Sequence, residues 1–157
     1  MIMYSKITLS VILVCALISI SNKDLKAQQP SNPPAAKLTK DPPDRFIGNV
    51  WVDYMVNDTI NDLLVSKVYF EANARSNWHY HLGKQIILAI DGEGYYKEKG
   101  KAIRKLKKGD VVVIEPGTIH SHGSINSNKF TQAVMMNGIR RKDATTWLNK
   151  VTEEELK

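Results

Sequence analysis

All four histidines of the chain lie in two short segments, residues 78–85 and 119–123. His79 and His81 are separated by one residue, and alternate side chains of a β-strand point to the same face of the sheet. The two imidazoles are therefore predicted to project together. With a third imidazole from the later segment and an amide oxygen close by, such a cluster could bind a divalent transition metal.

The elements that must position these residues are short strands. From residue 46 onward, runs rich in β-branched and aromatic residues alternate with turn signals such as Asp91-Gly92 and Lys108-Gly109-Asp110. This pattern predicts an all-β, antiparallel sandwich or barrel. Near the end, apolar residues at helical spacing predict a short helix over 143–150, and 152–155 has the composition of a helix start. We expect short C-terminal helices on the outside of the barrel.

The first 27 residues have the pattern of a secretory signal peptide. A charged start is followed by an apolar run over 7–20 and a polar stretch that ends at Ala27, the predicted cleavage site. The alternatives are a buried helix or an uncleaved anchor. Residues 28–44 are rich in proline and predict a disordered linker, which leaves 45–157 as the folded domain. The protein is therefore expected to be periplasmic or secreted, without stable membrane insertion after cleavage.

Composition and charge narrow the classes of partner. The only cysteine, Cys15, lies in the predicted signal peptide, so the mature domain would contain neither a disulfide nor a thiolate ligand. The net charge of +6 falls to +4 when the signal peptide's three lysines and one aspartate are removed. Most of the excess lies within 97–108, where basic residues flank a tight turn and alternate with apolar ones. This is typical of a solvated hairpin, so we expect a small-molecule substrate and no nucleic acid.

The two histidine segments and the turns between them resemble the two-part signature of the cupin superfamily. The matching residues are Trp78-His79-Tyr80-His81, Gln85, Gly92, Gly109-Asp110, Pro116-Gly117 and His120. The resemblance covers about 46–151 and implies a double-stranded β-helix, or jelly-roll barrel, with one metal ion inside. It also implies that the ligands are His79, His81, Gln85 and His120. Because cupins often pair through edge strands, a homodimer or homotetramer is expected.

Gln85 stands where most cupins have a glutamate, and this changes the charge of the site. Three neutral imidazoles and an amide would leave the double charge of the ion uncompensated, which favours Lewis-acid chemistry on a carbonyl or hydroxyl group. The spacing of the ligands is similar to that of small bacterial cupins that include hydroxynitrile lyases. That resemblance implies manganese as the ion, with iron, zinc or nickel as alternatives.

Two further polar residues are candidates for roles beside the ion. His122 should share the face of His120 and is the predicted catalytic proton carrier; the alternative is that it orients another group. Gln132 occupies a position where the resembling lyases commonly have a pocket-facing histidine, and it is predicted to contact substrate. A glutamine can hydrogen-bond but cannot accept a proton near neutral pH.

These observations leave three functions open. The first is a metal-dependent lyase or isomerase of the hydroxynitrile lyase type, in which His122 moves a proton. The second is an iron-dependent dioxygenase that resembles quercetin dioxygenase. The third is a non-catalytic exported module that binds a small molecule.

Overall fold

Strands and turns make up almost all of the described part of the chain, which in this computed structural model is residues 39, 40, 42 and 44–156. The predicted signal peptide and most of the predicted linker lie outside the described residues. The elements in chain order are β1 (Thr39–Lys40), β2 (Phe46–Ile47), β3 (Val50–Asp58), β4 (Leu63–Phe70), β5 (Arg75–Ser76), β6 (His79–His81), β7 (Gln85–Glu98), β8 (Arg104–Lys107), β9 (Val111–Ile114), β10 (His120–Ser124), β11 (Phe130–Met136), β12 (Thr145–Trp147) and a 3-10 helix (Glu154–Leu156). The all-β class is as predicted.

All strand pairs are antiparallel, and they form one curled sheet with the order β1-β3-β4-β11-β7-β10-β5-β2. The long strand β7 belongs to both halves of this sheet. Its first half pairs with β9 and β11, and its second half pairs with β8 and β10. The two halves can therefore fold over one another, and this gives the predicted jelly-roll barrel.

The predicted turn at Asp91-Gly92 is wrong, because strand β7 continues through these two residues without reversing. Gly92 has a φ of 74°, and β11 shows a register shift opposite this region, between Thr131 and Gln132. A Cβ atom on Gly92 would lie 2.0 Å from the backbone oxygen of Lys129. The glycine therefore bends the strand from one half of the sheet to the other, as a β-bulge does, without reversing the chain.

The barrel interior is filled by alternate residues of the long strands. β11 alternates strictly between buried and half-buried positions, so one of its faces points inwards. At the centre, Phe70 and Phe130 are stacked with ring centroids 6.2 Å apart, and both are almost fully buried. The apolar interior fixes the strands whose polar residues form the site described below.

The C-terminal region differs from the prediction. The predicted helix over 143–150 is instead strand β12, which pairs with β6 in the register Thr145 to His81 and Trp147 to His79. β-branched and aromatic residues favour this strand pairing over the weak helical spacing. The predicted helix start at 152–155 is present, but the helix that follows it is short. Thr152 and Glu155 exchange side-chain-to-backbone hydrogen bonds as a capping box, and the following helix is a single 3-10 turn.

Two residues of the predicted linker are part of the sheet. Thr39 and Lys40 pair with Val52 and Trp51 of β3. Across the part of the chain that the structure describes, no helix has the length and apolarity needed to cross a bilayer.

Candidate metal centre

Two neighbouring strands bring the histidines together inside the barrel. β6 carries His79 and His81, and β10 carries His120 and His122; His79 and His120 are direct register partners. All four imidazoles are buried, with exposed fractions of 7% or less. The half-buried Tyr80 lies between the inward-facing His79 and His81, which confirms the predicted alternation of β6.

The imidazole rings are close enough for several of them to bind one ion. Ring centroids are 4.2 Å apart for His79 and His120, 5.0 Å for His79 and His81, and 5.4 Å for His81 and His120. One nitrogen from each of His79, His120 and His122 lies within 4.8 Å of the others. Distance alone therefore admits all four histidines as ligands, and the hydrogen bonds of the rings must distinguish them.

At His79 and His120 the ring nitrogen Nδ1 faces a backbone oxygen. His79 Nδ1 lies 2.9 Å from the backbone oxygen of Asn77, and His120 Nδ1 lies 2.8 Å from that of Thr118. A carbonyl oxygen can only accept, so Nδ1 of His79 carries the proton and its Nε2 has a free lone pair. At His120 both ring nitrogens face an oxygen, because Nε2 lies beside Gln85, so the same tautomer requires a cation or a turned amide at Nε2. Histidines that bind metals commonly hold their far nitrogen in this way.

His81 and Gln85 supply two further possible donors. His81 Nδ1 lies 2.9 Å from Thr145 Oγ1, while its Nε2 is buried and has no hydrogen-bond partner among the described residues. Gln85 Oε1 lies 2.9 Å from His120 Nε2. As placed, these are two acceptors facing each other; either the amide turns to donate its N–H, or a cation close to both relieves the repulsion. The donor set therefore fits a divalent transition metal.

Burial keeps the imidazoles neutral, which is the form that binds metals. Loss of solvent, and then the neighbouring histidines, lower the pKa of His79 and of His122 well below the usual value. Burial also lowers the pKa of His81 to about 3 and that of His120 to about 4. The described residues that line the cavity include no aspartate or glutamate, so an ion here would keep its double charge.

The imidazoles of His79, His81 and His122 line one end of a cavity of about 260 Å³. Trp147 stacks on His79 with ring centroids 4.6 Å apart, and the ring centroids of Phe46 and Trp147 are 5.3 Å apart. The rest of the wall combines the apolar side chains of Val52, Leu64, Val68, Val134 and Met136 with the polar ones of Arg45, Tyr54 and Ser66. The site thus combines a polar end with an apolar body, the usual composition of a small-molecule pocket.

The structure brings the predicted ligands His79, His81, Gln85 and His120 into one cluster, although their binding of an ion remains a prediction. His122 also lines the cavity, as expected for a residue that acts on substrate. Gln132 does not: it is fully buried and contacts His122, with Gln132 Nε2 3.1 Å from His122 Nδ1. The predicted contact between Gln132 and substrate stays a prediction.

Sequence reasoning missed the contribution of β12 to the site. Thr145 holds His81, and Trp147 covers His79. The signal for this strand was the run Thr145-Thr146-Trp147, which consists entirely of residues with high β-propensity.

The fold and site together define a small antiparallel β-barrel with buried imidazoles facing an interior cavity. A cupin domain profile matches residues 66–136. The chain is 32% identical to an (R)-mandelonitrile lyase of Granulicella tundricola over 117 residues, which is 74% of this chain and 88% of the relative. It belongs to the cupin superfamily.

Solved structures agree with this assignment. A cupin-like protein of Thermotoga maritima is 40% identical with a TM-score of 0.71, and the match covers 75% of this chain and 90% of that one. A DMSP lyase of Ruegeria pomeroyi is 22% identical with a TM-score of 0.57, covering 76% of this chain and 59% of that one, and shows similarity of fold alone. Together the site and the relatives support a small-molecule cupin enzyme.

Proposed function

We propose that this protein is an exported, metal-dependent lyase that cleaves small hydroxynitriles. The observation that carries the proposal is the cluster of neutral donor groups at the polar end of the cavity: the imidazoles of His79, His81 and His120 with the amide of Gln85. The (R)-mandelonitrile lyase that the chain resembles along 88% of its length gives the reaction type. Export rests on the predicted signal peptide over 1–27.

The cavity suits a small substrate with an apolar body. Its volume of about 260 Å³ lies below the roughly 300–1,000 Å³ of pockets for drug-sized ligands. Phe46 and Trp147 would pack against an aromatic or aliphatic side chain. The polar end would then receive the hydroxyl and nitrile groups, which are the groups that react.

The reaction breaks the bond between the hydroxyl-bearing carbon and the nitrile carbon. The bonding electrons leave with cyanide, the hydroxyl gives up its proton, and the products are a carbonyl compound and hydrogen cyanide. A divalent ion in this site, with manganese as the expected metal, would supply Lewis acidity toward the substrate oxygen. Because the donors are neutral and no carboxylate lines the cavity, that acidity would not be weakened by a charged ligand.

His122 is a polar residue of the cavity lining that would interact with the nitrile group. It is buried, it lines the cavity, and its ring centroid lies 5.3 Å from that of His79. The predicted ligands surround the oxygen end of the site, so His122 would act on the other reacting group. The direction in which it exchanges a hydrogen bond depends on its tautomer.

The test uses the full chain purified from the exported fraction. Metal content is measured first; the protein is then loaded with Mn²⁺ and assayed without oxygen for release of cyanide from (R)-mandelonitrile and aliphatic hydroxynitriles. We expect turnover that disappears in His120→Ala together with the bound metal. The control Tyr80→Phe alters the outward-facing residue between His79 and His81 and should keep both properties.

Other outcomes would overturn the proposal. Activity that needs iron and consumes oxygen would select the dioxygenase function. Tight binding of hydroxynitriles or other small molecules without turnover would indicate a non-catalytic binding protein.

A further inference from the structure

Gln132 makes a contact that distinguishes His122 from the other histidines. Gln132 lies on β11, is fully buried, and places its amide nitrogen 3.1 Å from Nδ1 of His122. Among the described residues that line the cavity, His122 is present and Gln132 is not. The edge of the His122 ring packs on Phe70, with an interplanar angle of 89° and ring centroids 5.7 Å apart. The ring is therefore held firmly between these two side chains.

The polarity of this hydrogen bond is opposite to that at His79. An amide nitrogen can only donate, so Nδ1 of His122 must be the acceptor, and the proton of the neutral ring resides on Nε2. At His79 the partner of Nδ1 is a carbonyl oxygen, so that ring carries the proton on Nδ1.

The orientation of the Gln132 amide follows from which of its polar atoms would be left without a hydrogen-bond partner. In the structure its Oε1 is buried without a hydrogen-bond partner. Turning the amide over would pair Oε1 with His122 but would leave the whole buried NH₂ group facing the position where Oε1 now has no partner. An unpaired buried N–H is less tolerated than an unpaired carbonyl oxygen, so the observed orientation is the favoured one.

We infer that Gln132 is a positioning residue that fixes His122 as the Nε2–H tautomer, so that His122 presents a hydrogen-bond donor to the cavity. In this state His122 is neither an additional metal ligand nor a base toward a hydroxyl group. The ligand group beside it must accept a hydrogen bond, as a nitrile, a carbonyl or a carboxylate does. The tautomer follows from the hydrogen bond alone, whereas its use in catalysis rests on the proposed function.

In the proposed reaction this donor would act on the nitrile. The Nε2–H would donate to the nitrile nitrogen, where negative charge grows as the electron pair leaves with cyanide. The hydroxyl proton would pass through solvent water to the departing cyanide, which leaves as hydrogen cyanide, and no proton would be transferred to or from His122. This assignment differs from the predicted role of His122 as a proton carrier. It gives Gln132 a function behind the imidazole, away from the substrate.

Two substitutions separate polarity from packing. Gln132→Glu keeps the shape of the side chain but replaces the donor with an acceptor, so Nδ1 should take the proton and Nε2 should become a lone pair. Gln132→Leu keeps a similar volume and removes the hydrogen bond, so neither tautomer is enforced. Thermal melts of both variants show whether the barrel still folds.

The tautomers are measured in metal-free protein by long-range ¹H–¹⁵N NMR spectra of the histidine rings. Signals of His122 are assigned by their loss in His122→Asn. We expect Nε2–H for His122 in the wild type, Nδ1–H in Gln132→Glu, and a mixture in Gln132→Leu, while His79 shows Nδ1–H throughout. An Nδ1–H tautomer of His122 in the wild type would overturn the inference, even if neither variant folds.

Metal affinity gives a second readout that needs no substrate. Because Gln132→Glu would free the Nε2 lone pair of His122, its affinity for Mn²⁺ should rise by about tenfold or more over the wild type, while Gln132→Leu should show a smaller rise. Equal affinity in all three proteins would show that the amide does not keep His122 from binding the ion. If the wild type shows the expected tautomer but cleaves no hydroxynitrile, the inference stands and the proposed function fails.

Discussion

The hydroxyl of Thr145 is predicted to control metal affinity through His81. Thr145→Val removes the oxygen 2.9 Å from His81 Nδ1 and preserves the shape of the side chain. His81 is 7% exposed, so water cannot easily replace this partner. Losing a partner that orients a metal-binding histidine typically lowers affinity by about 10- to 100-fold, which corresponds to about 1.4–2.7 kcal/mol. An unpaired buried Nδ1 would also lower the free energy of unfolding of the metal-free protein by about 1–3 kcal/mol.

Thr146→Val is the matched control. Thr146 is the next residue of β12, is half-buried to a similar degree, and pairs with Tyr80 instead of a histidine. Affinity for Mn²⁺ is measured by competition with a chelator of known affinity, and stability by urea titration of the metal-free proteins. We expect the loss of affinity in Thr145→Val only. Wild-type affinity in that variant would refute the role of His81 as an oriented ligand, and an equal loss in both variants would point to a general effect on β12.

Three further predictions concern stability. Gly123→Ala should lower the free energy of unfolding by about 2 kcal/mol or more, because the new Cβ would lie 2.5 Å from the backbone oxygen of Ala74. Gly100→Ala should lower it by only about 1 kcal/mol, because a Cβ there would meet nothing within 4 Å and only the positive φ opposes it. Urea titrations would compare the two variants. Acidification from pH 6.5 to about 3 should destabilise the metal-free protein. The pKa values of His81 and His120 are lowered in the folded state, so over this range the unfolded chain binds more protons than the folded one. Unchanged stability at pH 4 would contradict this prediction. Removing the metal with a chelator should lower the melting temperature, and Mn²⁺ should restore it.

Local sequence patterns predicted the part of the site that depends on strand periodicity. The one-residue spacing of His79 and His81 determines that both rings lie on the same face of β6, and packing of the barrel turns that face inwards. The same holds for His120 and His122 on β10, where the whole strand is buried. The position of Gln85 at the start of β7 followed only from the family resemblance, since an isolated glutamine before an apolar run has no distinctive pattern.

The parts that were missed depend on contacts between residues far apart in the chain. β12 forms because β6 offers an edge to which 145–147 can pair, and its three residues lack a strong periodicity of their own. Likewise, Asp91-Gly92 has the composition of a hairpin turn, but pairing with strands on both sides keeps β7 continuous through it. At Asp91-Gly92 tertiary hydrogen bonding outweighs the local turn preference, whereas at β12 it reinforces the β-propensity of three residues against the helical spacing around them.

The four imidazoles show why a ligand set cannot be read from histidine positions alone. All four are buried and neutral, and their rings lie within a few ångströms of one another, so neither burial nor distance ranks them. What differs is the partner of Nδ1: a carbonyl oxygen at two rings, the Thr145 hydroxyl at the third, and the amide nitrogen of Gln132 at the fourth. A carbonyl leaves Nε2 open for a metal, a hydroxyl can adapt to that state, and an amide donor opposes it. Chemically equivalent side chains thereby acquire separate roles as ligands and as a hydrogen-bond donor.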